Sequence, residues 1–266
     1  MDNFTAFIYG LVQGATEYLP VSSSAHLALL PHVLGSSDPG LAFDVFLHIG
    51  TLMATAVYFY KDWFHILKHP LPKAAQHDQS SAVHLSWVHL IVGTLPAVIV
   101  GALLNHWIQD HTRSLWVMGV SIPLFGIILW LADRQAPKER GIAKTTIKDM
   151  FLIGCMQTLS LVPGVSRSGS TMTAARLRGF KRQDAARISF LLSLPITLGA
   201  IVYEAKHWQE IVDSLNGWTP LIIGMVSALV FGAIAIHYLI KLLGKMSFAI
   251  FAIYRIILGA VILLLG

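Results

Sequence analysis

The sequence predicts an all-α polytopic membrane protein made of two inverted-topology repeats, each a re-entrant helix hairpin plus three transmembrane helices. Three observations lead there. The 266 residues are 55% hydrophobic and only 12% charged, with mean hydropathy +0.65, whereas soluble domains are about a quarter charged. The apolar runs are about 20 residues long and do not alternate, which is the signature of spanning helices rather than barrel strands. Finally, an interrupted apolar stretch followed by three full spans occurs twice.

The first interrupted stretch is 4–19, with Gln13 and Glu17 inside it, then P-V-S-S-S-A-H (20–26), then a short apolar piece, 27–34. Sixteen helical residues cover about 24 Å, short of a hydrocarbon core of about 30 Å. A short helix, a polar break and a second short helix predict a re-entrant hairpin, allowed at depth only when buried in protein or lining a wet cavity. Full spans are expected at 41–60, 86–107, 115–132, 186–204, 218–240 and 248–265. The second interrupted stretch, 147–180, falls between the third and the fourth.

The halves also match in detail. Gly10-Leu11-Val12-Gln13 corresponds to Gly154-Cys155-Met156-Gln157, and nine residues after each Gln stands a serine, Ser22 or Ser166. Phe46-Leu47 precedes Val57-Tyr58 as Phe190-Leu191 precedes Val202-Tyr203. Repeat one is therefore about 1–132 and repeat two about 147–266, joined by a cytoplasmic linker, 133–146, in one integral membrane domain. Three spans per repeat are odd and a hairpin does not change sides, so the halves must be inverted relative to each other.

Charge sets the orientation. Loops on one side carry Lys61, Lys68, Lys73, Arg134, Lys138, Arg140, Lys144, Lys148, Arg176, Arg178, Lys181, Arg182, Arg187, Lys241 and Lys245, and the other side only Arg113 and Lys206. The basic side is assigned to the cytoplasm, with both termini outside. The two hairpins then enter from opposite faces, and tips that reach the midplane meet in one pocket. The net charge of +5 is a topology signal and not a nucleic-acid footprint. No basic region precedes the first apolar stretch, so no cleaved signal peptide is read there. The lone Cys155 excludes an internal disulfide and reads as a small packing residue.

The chemistry-bearing residues lie at the two breaks. In P-G-V-S-R-S-G-S-T (163–171), Pro163 and Gly164 stop a helix and Ser166 is placed to cap the next one. The free N–H groups of that helix start make an anion cradle, to which Arg167 adds a planar fork suited to phosphate oxygens. At the other break, Gln13 and Glu17 share a helical face. A carboxylate at that depth calls for a cation, either Arg167 or a metal ion. Ser22, Ser23 and Ser24 beside His26 supply hydroxyl and base, the minimum set for nucleophilic catalysis. Anion binder, nucleophile, base and carboxylate together make a toolkit for phosphoryl transfer.

These residues carry a resemblance. Q-G-A-T-E-Y-L-P-V-S-S-S-A-H (13–26) and P-G-V-S-R-S-G-S-T (163–171) resemble the two signatures of bacterial undecaprenyl-diphosphate phosphatases, the bacitracin-resistance family often called UppP or BacA. The family's E/Q-x-x-x-E is met by Gln13 and Glu17. Its P-G-x-S-R-S-x-x-T is met at Pro163, Gly164, Ser166, Arg167, Ser168 and Thr171. The likeness extends to F-D-V (43–45) and Y-R-I-I-L-G (254–259). Two departures stand out: V-S-S-S-A-H where the family often has V-S-S-T-G-H, so that Ala25 replaces a flexible Gly, and Gln13 in place of Glu, which removes one anionic metal ligand.

The resemblance implies hydrolysis of undecaprenyl diphosphate to the monophosphate and inorganic phosphate. That recycles the lipid carrier for peptidoglycan and confers bacitracin resistance. It also implies a Mg²⁺ or Ca²⁺ cofactor and a site open to the outer face of the bacterial plasma membrane. On this reading Ser23 attacks, His26 manages protons, Glu17 and Gln13 hold the metal, and Arg167 polarises the phosphate. Ser22, Ser24, Pro163, Gly164, Ser166, Ser168 and Thr171 bind substrate. Water or His26 as nucleophile stays open, as does a homodimer. Asp44 is expected as a helix-start carboxylate, Arg255 as a snorkelling or carboxylate-paired residue, and Trp63, Trp107, Trp116 and Trp218 as interfacial anchors. His69, His77, His84 and His89 are expected to be solvated loop residues. The rival class is a secondary transporter or polyprenyl-phosphate flippase, which shares the inverted-repeat design but needs no reactive hydroxyl.

Overall fold

The computed structural model describes residues 1–72, 84–112, 114–136, 140–215 and 217–265. Lys73, Lys138 and Arg113 of the charge count, and His77, lie outside the described residues. Among those described, the only regular secondary structure is helical, apart from one isolated bridge between Arg140 and Phe180.

The first interrupted stretch forms α1 (Asn3–Glu17) and α2 (Ser23–Leu34), separated at Pro20. Asp2 caps α1 by accepting from Thr5 N at 2.9 Å, and Gly35, at φ 62°, closes α2 in the left-handed conformation that glycine takes without strain. Then come α3 (Leu41–Tyr58), the short α4 (Tyr60–Lys68), α5 (Trp87–Thr112) and α6 (Leu115–Gln135). The second interrupted stretch forms α7 (Ile147–Thr158), a single 3₁₀ turn and α8 (Arg167–Leu177). Thr146 and Asp149 make a reciprocal capping box on α7. The chain ends with α9 (Arg182–Glu204), α10 (Trp208–Ser214), α11 (Trp218–Leu243) and α12 (Ala249–Leu265).

All six expected spans are therefore helices. Five are long and apolar enough to cross a membrane, and α12, with 17 residues, is a shorter apolar helix. Large apolar side chains face outward, among them Val57, Leu103, Val202 and Leu264, while Arg176 and Arg255 are fully buried. A water-soluble fold reverses that distribution; a lipid-facing one requires it.

Packing runs through glycines. α1 lies along α11, and α7 lies along α5. A Cβ on Gly10 would collide with the Gly224 carbonyl, and one on Gly154 with the Gly93 carbonyl. Both crossings thus need a bare backbone, as small-residue contacts do in membranes. The first helix of each hairpin packs on the second full span of the other half. α6 and α12 pair with each other, as do α3 and α9.

One end of the bundle is tied by arginine–carboxylate clusters that the sequence reading left as loop charges. Asp62 meets Arg187 at 2.5 Å. Asp133 accepts from Arg176 and Arg182, each at 2.8 Å. Asp149 accepts from Arg140 at 2.6 Å and Arg178 at 2.7 Å.

Three expectations are corrected. His89 is not solvated: it is buried in α5 with Nδ1 2.9 Å from Ser86 Oγ. Trp63 is buried against Trp87 rather than exposed at an interface, unlike Trp107, Trp116 and Trp218. Arg255 neither snorkels nor meets a carboxylate; its fork holds backbone carbonyls at both helix breaks.

Candidate active site

Each break turns on a strained serine. Ser22 (φ 72°) and Ser166 (φ 71°) are the non-glycine residues with positive φ among the described residues. Such backbone costs of order 1–3 kcal/mol and persists where the surroundings over-determine it. At the second break Gly164 adopts φ 91°, and Ser166 caps α8 as expected, accepting from Gly169 N at 3.1 Å. The breaks mirror each other in side chains too: Ser22 Oγ lies 3.1 Å from Ser24 Oγ, and Ser166 Oγ 3.1 Å from Ser168 Oγ.

Between the breaks is a cavity of about 210 Å³. Glu17, Ser22, Ser23 and Ser24 line it from the first hairpin, Ser160, Ser166 and Arg167 from the second. Val45 and His48 of α3 and Ile196, Thr197 and Ala200 of α9 complete the wall. One side is polar and charged, the other largely apolar.

Glu17 is the hub. Its Oε1 accepts from Arg167 Nη2 at 2.6 Å, across 150 residues of sequence. Its Oε2 accepts from Ser23 Oγ at 2.6 Å and Gln13 Nε2 at 3.2 Å, and lies 3.4 Å from His48 Nε2. The other arm of the Arg167 fork donates to the Ser189 carbonyl at 3.1 Å. The guanidinium is thus fixed between a carboxylate and a carbonyl, beside three serine hydroxyls of the opposite hairpin.

Other predicted site residues support the breaks rather than line the cavity. Ser168 Oγ donates to the Leu19 carbonyl at 3.0 Å, tying one break to the other. Thr171 Oγ1 bonds back to the Arg167 carbonyl at 2.8 Å and meets Ser189 Oγ at 2.7 Å. Pro163 and Gly164 give their carbonyls to Ser121 and Arg255. For Ser168, Pro163 and Gly164 a helix break exposes carbonyls that must be satisfied in a dry interior, whereas Thr171 bonds within α8 and to α9, so these residues serve the scaffold first.

His26 is also elsewhere. Its Nδ1 donates to the Ser22 carbonyl at 2.7 Å, and its Nε2 meets the Tyr254 hydroxyl at 2.6 Å, the two rings stacked at 3°. It does not line the cavity. The histidine that does is His48, which the sequence reading missed. Its Nδ1 donates to the Asp44 carbonyl at 2.7 Å, turning Nε2 toward Glu17. An ionisable residue inside a predicted span was the signal that could have found it. Asp44 itself stands in the first turn of α3, as expected.

Among the described residues no three His, Cys, Asp or Glu side chains converge to hold a metal ion. Gln13 Oε1, however, is buried without a hydrogen-bond partner while its Nε2 reaches Glu17. Gln13 Oε1 and the Glu17 carboxylate are oxygen donors of the kind hard divalent cations take, and it is the amide Nε2 that faces Glu17 here. The residues present fit such an ion.

The sequence is similar to known proteins along nearly its whole length. The family described as bacitracin resistance protein BacA matches residues 6–261. The chain is 44% identical over 263 residues to an undecaprenyl-diphosphatase of Gemmatimonas aurantiaca, covering 98% of this chain and 97% of that protein. It is 42% identical over 264 residues to an undecaprenyl-diphosphatase of Elusimicrobium minutum, covering 99% and 98%. It is 42% identical over 271 residues to undecaprenyl-diphosphatase 2 of Stutzerimonas stutzeri, covering 100% and 98%. With a match along nearly its whole length, the chain belongs to the bacitracin resistance protein BacA family.

Proposed function

We propose that this protein hydrolyses undecaprenyl diphosphate to undecaprenyl phosphate and inorganic phosphate, using the cavity between the two hairpins. The single observation that carries the mechanism is Ser23 Oγ at 2.6 Å from a Glu17 carboxylate that is itself 2.6 Å from Arg167. A hydroxyl, a base in contact with it and an anion-binding fork are held together before substrate arrives. The mixed lining supports a lipid diphosphate: Val45, Ile196 and Ala200 offer apolar wall beside the polar hub.

Ser23 Oγ attacks the terminal phosphorus and its proton passes to Glu17 Oε2. The new Oγ–P bond forms as the anhydride P–O bond breaks, and undecaprenyl phosphate leaves. Water then attacks the phosphoserine, the Oγ–P bond breaks, and inorganic phosphate departs with Ser23 reprotonated from Glu17. Arg167 and the α8 N-terminus stabilise charge on the transferred group. His48, not His26, is the ring beside this proton path. A Mg²⁺ or Ca²⁺ ion bound by Glu17 and Gln13 Oε1 would neutralise diphosphate charge.

The two halves are read as inverted repeats. Matching serines at φ 72° and 71°, and the paired Gly10–Gly224 and Gly154–Gly93 crossings, support that reading. The charge asymmetry supports a site open to the outer face of the bacterial plasma membrane, with both termini outside. The product re-enters use as the lipid carrier for peptidoglycan, and removal of the diphosphate goes with the family's bacitracin resistance.

Purified protein in detergent, with no second compartment, should release phosphate from undecaprenyl diphosphate, and quenched turnover should carry phosphate on Ser23. Label on His26, or a folded protein that releases none, would refute the proposed chemistry; the latter would favour a transporter.

A further inference from the structure

Arg255 is fully buried in α12, and the contacts of its fork are carbonyls. Nη1 donates to the Pro20 carbonyl at 3.2 Å. Nη2 donates to the Gly164 carbonyl at 2.8 Å and the Val165 carbonyl at 3.1 Å. Nε donates to the Ile122 carbonyl at 2.6 Å. Pro20 and Gly164 stand at matching places, each two residues before the positive-φ serine of its break. One guanidinium therefore holds corresponding carbonyls of both hairpins.

The slot for it is built by glycines. A Cβ on Gly126 of α6 would lie 3.0 Å from Arg255 Cβ and 3.1 Å from its Cδ; one on Gly169 of α8 would lie 2.9 Å from Nη1. A buried cation is costly even with carbonyl partners. A broken helix in a dry interior also frees both carbonyls and N–H groups. Carbonyl oxygens facing a phosphate would repel it, whereas N–H groups bind it.

We infer that Arg255 is a positioning residue for the phosphate site: it gathers the break carbonyls of both hairpins on its own side and leaves the helix N-termini and the hydroxyls of Ser22, Ser23 and Ser166 for the anion. It does not line the cavity, so it acts through the backbone and not on substrate. This rests on the phosphatase reading only for its kinetic arm.

The test uses full-length Arg255→Met and Arg255→Lys in detergent, normalised to folded protein by thermal melting. Arg255→Met should lower kcat by about 100-fold, the scale of a lost oxyanion donor, and weaken inhibition by inorganic phosphate about tenfold or more. Arg255→Lys, with three donors on a point charge, should recover part of both. Gly126→Ala crowds the same side chain without touching either break and should cost several-fold in kcat with the fold intact; it decides the matter where Arg255→Met does not fold. Wild-type kcat and phosphate affinity per folded molecule in these variants, with any loss of activity fully accounted for by loss of folded protein, would overturn the inference. Wild-type protein that releases no phosphate sinks the phosphatase reading alone. Calorimetric binding of inorganic phosphate, lost in Arg255→Met and kept in wild type, then still tests the positioning role, and equal binding in both rejects it.

Discussion

Arg167 Nη2 lies 2.6 Å from Glu17 Oε1, joining two hairpins whose residues are 150 apart in sequence. The pair compensates two charges that neither hairpin could bury alone, and it sets the distance between the hydroxyls of one tip and the anion fork of the other.

Replacing Arg167 with Lys should be nearly as harmful as replacing it with Ala. Lysine cannot span Glu17 and the Ser189 carbonyl as the fork does. Steady-state assays should show kcat down about 100- to 1000-fold for both. Arg167→Ala should also lose about 3–5 kcal/mol of stability, because Glu17 is left buried and uncompensated. A lysine variant near wild-type rate would mean that charge alone matters there.

The two histidines should separate. His48→Ala should lower kcat/KM by about 100-fold, in the range of a lost proton-handling group. Tyr254→Phe, which removes only the 2.6 Å contact to His26, should cost less than about tenfold. The reverse ranking would return the proton role to His26.

The glycine crossings predict matched damage. Gly10→Ala and Gly154→Ala each drive a Cβ into a facing backbone carbonyl, which cannot rotate aside. Each should destabilise by about 1–3 kcal/mol or more, read as melting temperature in detergent. A tolerated alanine at either site would show that the helices are less closely apposed than described.

Asp149 should make stability depend on pH. Burial pushes its carboxyl up, but hydrogen bonds from Arg140 and Arg178, then from the Thr146 backbone and side chain, outweigh this and hold it below the usual carboxylate range. The folded value is lower than the unfolded one of about 3.9. The contribution is therefore present above that value and lost as pH falls through the folded one. The melting-temperature gap between wild type and Asp149→Asn should be wide at neutral pH and shrink below about pH 4. A gap that does not change with pH would show that the carboxylate charge is not what stabilises this corner.

Much of this was legible in the sequence because hydrocarbon imposes simple rules. Span lengths, the breaks at Pro20 and Pro163-Gly164, the Ser166 cap and the need of Glu17 for a cation all follow from desolvation and backbone satisfaction. The choice between His26 and His48 did not follow. It depends on how Ser22 at φ 72° turns the first residues of α2, and on the rotation of α3 against α9, which no local pattern encodes. Arg255 was misjudged for a related reason. Pairing rules look for carboxylates, and the partners here are carbonyls freed by two breaks more than 90 residues away.

The most direct measurement is phosphate release from undecaprenyl diphosphate by purified wild type, Ser23→Ala and Arg167→Ala, each normalised to folded protein. The expected result is release by wild type and a loss of about 1000-fold or more in Ser23→Ala, with Arg167→Ala similarly impaired, since nucleophile and cradle act as one unit. Near-wild-type turnover by either variant, or none by folded wild type, would contradict a single phosphatase site shared by the two hairpins.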